Sequence, residues 1–301
     1  MARAPGKASP PAWRLAAADL VEGLTEASTL AALCMAAAFA AMLGVAAWFF
    51  SPATLAGPQG AFLARSAHDA EGFVTREALA LAATPATAPR LLVLGPSTLA
   101  QALGDPTAVE EALAAETDVP WEVHMLTTPL QSPYDQMAIL ETVLDARGPA
   151  DPPVLVALGV GPQRMTWLPE RLAREEAQAR LGLRSSWADE EMRRSGYPPR
   201  PRTGVWALDN HRLVIINGTV ALIRLLVDRP AEREVDIYSD GPVVPADARD
   251  RAVRAVQFRE GVAAADGFVA LHRRLAARLA AYPGVRLALV EEALDPGFVA
   301  A

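Results

Sequence analysis

Ser97 is the residue of this chain whose neighbours best equip it for chemistry. The apolar run Leu91-Leu-Val-Leu94 stops at Gly95-Pro96-Ser97, and the residues from Thr98 to Leu103 resume with helical spacing. That pattern reads as a strand, a tight corner and a helix. A serine at such a corner holds its hydroxyl at the carboxyl edge of a sheet, where the unpaired N–H groups of the helix's first turn favour developing negative charge. Nucleophilic attack through oxygen is the chemistry this suits. The same residues also suit a structural role, in which Ser97 or Thr98 caps the helix by accepting from the next turn's backbone.

A serine nucleophile needs a base to take its proton and donors to hold the oxyanion. The chain has four histidines. His68 lies before the first strand, His124 inside the second, and His272 on the apolar stripe of a helix, where packing is the expected role. His211 follows Asp209 in Leu208-Asp-Asn-His211 and is the one histidine left to weigh as a base, although geometry has to precede pKa in naming one. Metal chemistry lacks its residues, since there is no His-x-x-x-His, cysteine pair or dense carboxylate loop. Gly95-Pro-Ser-Thr98 lacks the spaced glycines of a dinucleotide cradle, and proline removes an N–H donor there. No metal and no cofactor are expected. The acidic runs Glu170 to Glu176 and Asp189-Glu-Glu191 read as solvated helix surface.

The elements that must position Ser97 alternate. Strands are expected at 91–95, 121–127 and 154–160, with helices at about 98–116 and 134–147 between them. Continuous aliphatic strands alternating with helices indicate a parallel sheet covered on both faces, an α/β fold. Ala61 to Ala83 has helical spacing ahead of the first strand. After Gly161 the rhythm breaks: Leu168 to Leu183 reads as a charged helix, Arg193 to Thr203 is proline-rich, and Leu213 to Leu226 reads as a buried or interfacial helix. Regular order returns from Pro245, with long helices over Ala246 to Tyr282 and a fourth strand at Val285–Val290. The expected strand order is 2-1-3-4.

Half of the 301 residues are apolar, enough to bury a full core. The net charge of −7 and pI near 5.2 give no basic field, which excludes nucleic acid as a partner. Thr29 to Phe50 is an uncharged apolar run long enough to cross a bilayer of ~30 Å, where a cleavable signal's core has only about 7–15 residues. It reads as an uncleaved anchor. Arg3, Lys7 and Arg14 precede it and no Lys or Arg follows until Arg65, which puts the amino terminus in the cytoplasm. The lone cysteine, Cys34, lies within this run. The organisation is therefore a cytoplasmic segment 1–28, a transmembrane anchor 29–50, a linker and helical lead-in 51–89 (the linker proper at Ser51 to Gln59), and an α/β domain 90–301 with an insertion at 162–245.

An aliphatic strand, then Gly95-Pro-Ser97-Thr-Leu99, then a helix resembles the first block of the SGNH (GDSL-like) hydrolases, in particular the membrane-anchored cell-envelope branch that includes alginate O-acetyltransferase-like and DltD-like proteins. Trp121–Thr127 occupies the place of the second strand. Leu130-Gln-Ser-Pro-Tyr-Asp135 takes that of the loop with the second block, and Val154–Gly161 that of the third strand. The resemblance implies a Rossmann-like three-layer domain, a periplasmic location on the bacterial inner membrane, and a pocket formed by Gly95, Thr98, Gln131, Ser132, Gly161 and Gln163 around Ser97. It implies an envelope glycan as ligand, and a membrane acyltransferase or export complex as partner. Three departures qualify the activity. The third block's asparagine is replaced near Gly161, with Gln163 the nearest amide; the second block has no glycine; and the late Asp-x-x-His is missing from Asp295–Ala301. The expectation is a degenerate or carboxyl-terminally truncated member that binds without turnover, with serine-dependent O-acyl transfer or deacylation as the alternative.

Overall fold

The computed structural model describes residues 12–58, 60, 70–129, 131–160, 181–199, 201–218 and 248–291. The chain divides into two units, residues 1–45 and 46–301. Helix α1 runs Ala12–Phe49. Within it, the 22 residues Ser28–Phe49 have a hydropathy of 2.2 and are long and apolar enough to cross a membrane. Cys34 is exposed on this stretch.

The second unit holds a four-stranded parallel sheet in the order β2-β1-β3-β4, with β1 Arg90–Leu94, β2 Glu122–Met125, β3 Val154–Val160 and β4 Val285–Glu291. This is the α/β class and strand order read from the sequence. In register, Arg90 lies beside Glu122 and Val154, and Val154 beside Val285. The chain moves one way from β1 to β2 and the other way from β2 to β3 and β4. Right-handed crossovers therefore put the intervening helices on opposite faces. On one face, α4 (Ser97–Leu103) and α5 (Pro106–Thr117) close over Leu91, Val93, Val123 and Met125. The other face carries α3 (Ala70–Ala83), α6 (Pro133–Leu144), α7 (Ser186–Arg194) and α9 (Ala248–Leu279), packed over Leu92, Leu94, Val156 and Leu158. All five residues of β1 are buried, as a central strand sandwiched by helices requires.

Several boundaries differ from expectation for local reasons. The helix expected at 98–116 is two helices. Gly104 takes a left-handed φ of 67° that ends the first, and Asp105 caps the second by accepting from the Thr107 amide at 2.9 Å, with Pro106 at its first position. Within the linker expected at Ser51 to Gln59, Pro52–Ala56 folds as α2, and Leu55 is buried against Phe50, Leu213 and Val214. Leu213–Gly218 forms a π-helical turn after α8 (Trp206–Asp209). Most of the helix expected at Leu168 to Leu183, and the part of the 213–226 helix beyond Gly218, lie outside the described residues.

Of the acidic run at 189–191, Glu191 is buried and not the solvated surface expected, whereas Glu190 is partly exposed. Glu191 is 1% exposed, and both its oxygens accept from Arg274 of α9, Nε at 2.9 Å and Nη2 at 2.5 Å. Its neighbour Glu190 pairs with Arg194 and Arg278, and those two guanidinium groups pull its carboxyl down to about 2. The run thus clamps α7 onto α9. Beneath α7, the buried Glu141 of α6 accepts from the Ser185 and Ser186 hydroxyls and the Trp187 amide, so the insertion is stitched to the core by polar contacts as well as by Trp187 and Met192. Arg274→Ala leaves a buried carboxylate with only Arg194 nearby and should cost about 2–3 kcal/mol in denaturant unfolding. Adding Glu191→Leu should recover most of that loss, because the unpaired charge goes with it.

Candidate functional site

The carboxyl edge of β1 turns sharply into α4 at Gly95-Pro96. A Cβ on Gly95 would lie 3.0 Å from Leu99 Cδ2 and 3.2 Å from Gly159 Cα, so any side chain here would press on Leu99 and on the β3 backbone. The N-cap of α4 is Pro96, with no side-chain hydrogen bond. This corrects the capping role weighed for Ser97 and Thr98. Ser97 instead occupies the first helical position, half-buried, and its hydroxyl has no hydrogen-bond partner among the described residues. Thr98 is exposed beside it. The first turn offers less to an oxyanion than the sequence suggests, since the Leu99 amide is already spent on Pro96 O at 3.1 Å and the helix has only seven residues.

The loop from β2 to α6 is hung on the same turn. Leu126 N–H donates to Val93 O at 2.8 Å, Thr128 N–H to Gly95 O at 3.3 Å and Gln131 N–H to Thr128 O at 3.2 Å. Gln131, 1% exposed, donates from Nε2 to Leu126 O at 2.7 Å. That bond fixes the amide's orientation and leaves Oε1 buried with no partner. Ser132 is the N-cap of α6, in a reciprocal box in which Asp135 N–H donates to Ser132 Oγ at 3.1 Å and Ser132 N–H to Asp135 Oδ2 at 2.8 Å.

Sequence reasoning missed three residues of this loop and of the first turn of α6. Thr128 Oγ1, Asp135 Oδ1 and Gln136 Oε1 are, with Gln131 Oε1, buried polar atoms without a hydrogen bond, on residues no more than 3% exposed. Four such atoms within nine residues are costly, at about 1–3 kcal/mol each when unpaired. The available signal is a dense polar stretch, Thr127 to Gln136, where an aliphatic strand hands over to a helix buried nearly all round. Gly161 and Gln163 lie outside the described residues.

None of the histidines with a described ring partner is committed to Ser97. His124 projects from the face opposite α4 and meets Glu77 of α3 through Nδ1 at 3.1 Å. His211 is exposed, its Nδ1 3.1 Å from Leu208 O, while Asp209 accepts from Thr203 and Gly204 and pairs with Arg184. His272 is buried in α9, with Nδ1 2.9 Å from Phe268 O and its ring against Phe268. His68 lies outside the described residues. Among the described residues no group of three or more His, Cys, Asp or Glu side chains could hold a metal ion.

Set beside known proteins, the chain matches no family model, no curated protein and no solved structure.

Burial lowers the His272 pKa from its ordinary 6.5, against a smaller opposing pull from the Phe268 carbonyl. The neutral ring is thus the folded form, and the stability it contributes is complete above pH ~6.5 and is lost as pH falls below that value. The denaturation midpoint of the wild type should drop between pH 7 and 5, and His272→Leu should remove most of that drop. The window of Glu190 lies lower, between its ordinary 4.5 and about 2, and should be unchanged in the variant.

Proposed function

We propose that this chain is a membrane-anchored, SGNH-like envelope protein that binds a glycan at the carboxyl edge of β1 and β2 without turning it over. One observation carries the reading: four buried polar atoms, of Thr128, Gln131, Asp135 and Gln136, three of which can only accept, are unpartnered in the β2–α6 loop and the first turns of α6, a segment tied to the Gly95–Ser97 turn by the Thr128 N–H to Gly95 O bond. A ligand rich in hydroxyls brings donors to acceptors, and satisfying a buried polar group is how a site rejects ligands that lack the matching hydroxyl. The absence of turnover is supported by His124, His211 and His272, each held elsewhere, and by the Leu99 amide, already spent within its own turn. In this reading Ser28–Phe49 is the membrane anchor, the amino terminus is cytoplasmic, the sheet domain is periplasmic, and the partner is a membrane acyltransferase or export complex.

A second reading, O-acyl transfer or deacylation with Ser97 as nucleophile, is favoured by the partnerless Ser97 hydroxyl at a strand-to-helix corner. Losing the base of such a triad costs orders of magnitude in rate, with only binding and the oxyanion site left to act. The full-length protein in detergent, offered alginate and peptidoglycan oligosaccharides, should bind one class by calorimetry. It should leave acetyl esters intact and resist a serine-directed fluorophosphonate. Labelling that disappears in Ser97→Ala would replace this reading with the second.

A further inference from the structure

A cleft of about 160 Å³ opens at the other end of the sheet, where Leu81–Pro85 leads into β1 and Ala146–Asp151 leads into β3. Two arginines line it. Arg90 is 6% exposed and nearly spent: Nε donates to Glu122 at 2.9 Å, Nη1 to Leu81 O at 3.4 Å and Nη2 to Thr84 O at 3.3 Å, which caps the carboxyl end of α3. Arg147 is different. Its Nη2 donates to Pro152 O at 2.9 Å and reaches Asp151 O at 3.5 Å, while Nη1 is buried with no hydrogen bond at all.

The cleft is lined by two arginines and the Asp151 carboxylate, and Arg90 is ion-paired with Glu122. Burial and the neighbouring Arg90 both disfavour the Arg147 charge, and Asp151 offsets them only in part. The Asp151 carboxylate is also engaged, with Oδ2 accepting from the Gly148 amide at 3.0 Å. An unpaired guanidinium nitrogen thus belongs to the lining of a space about the size of an engineered cavity that admits benzene. A side-chain shift that turns Nη1 toward the cleft would let it donate to a planar or tetrahedral oxyanion.

We propose that this cleft is an oxyanion site for a phosphate group, with Arg147 as its hydrogen-bond donor. It lies away from the carboxyl edge and is independent of the glycan reading. The chemistry fits a free phosphate or a phosphomonoester equally.

The test is thermal unfolding of the full-length protein in detergent, with phosphate or glycerol 3-phosphate against chloride at matched ionic strength. Phosphate at a hundred times its dissociation constant should raise the midpoint by about 5–10 °C over chloride, and Arg147→Leu should abolish the difference. A response to phosphate alone identifies a free ion, and one shared by glycerol 3-phosphate identifies an ester. Should Arg147→Leu fail to fold, phenylglyoxal labelling of the wild type reads the same contact: phosphate should protect Arg147 and not the exposed Arg286. Equal midpoints in phosphate and chloride, or labelling of Arg147 that phosphate does not slow, would overturn the proposal.

Discussion

The contact between Gly95 and Gly159 governs the carboxyl edge of this domain. Two adjacent parallel strands approach there so closely that a single methyl group on Gly95 would press on the backbone of β3 and on Leu99 together. Because the turn is held that tightly, Ser97 begins α4 at the rim, and Gly95 O is left facing the next loop, where it accepts from Thr128. The β2–α6 loop thereby inherits its position from β1. A larger residue at 95 would move both loops, as overpacked sites do.

Below that edge the domain is conventionally apolar. Leu92, Leu94, Tyr134, Met137, Ile139 and Leu140 are fully buried in one cluster, and each such side chain is worth about 1.5–3 kcal/mol when removed from water. This surplus is what allows Thr128, Gln131, Asp135 and Gln136 to keep unpaired atoms inside the same structure. Sites that bind ligands commonly retain such a cost, since the groups that would stabilise the empty fold are the wrong groups for recognition.

Hydrophobic patterning makes the α/β class, the parallel sheet and its order legible, because β1 and β3 are continuous aliphatic runs that only a two-faced sheet can bury. The break at Gly104-Asp105-Pro106 is legible in residue type although the apolar period runs straight through it; a glycine, a cap and a proline in succession outweigh that period. Glu191 misleads for the opposite reason. Its burial depends on Arg274, 83 residues later, and no local pattern reports a partner at that distance. At the site, the corner that presents Ser97 can be read from sequence, whereas the orphaned acceptors cannot: Gln131 becomes a buried acceptor only once its amide is turned by Leu126 O.

The central claim is that these polar atoms are kept for a ligand and not for the fold, and Thr128→Val tests it most directly. The substitution preserves shape and removes one buried hydroxyl that has no partner. Thermal unfolding and glycan calorimetry on the full-length variant should show a protein as stable as the wild type, or more stable by about 1 kcal/mol, whose glycan affinity has fallen at least tenfold. A variant that is clearly destabilised, or that binds glycan as the wild type does, would contradict the account.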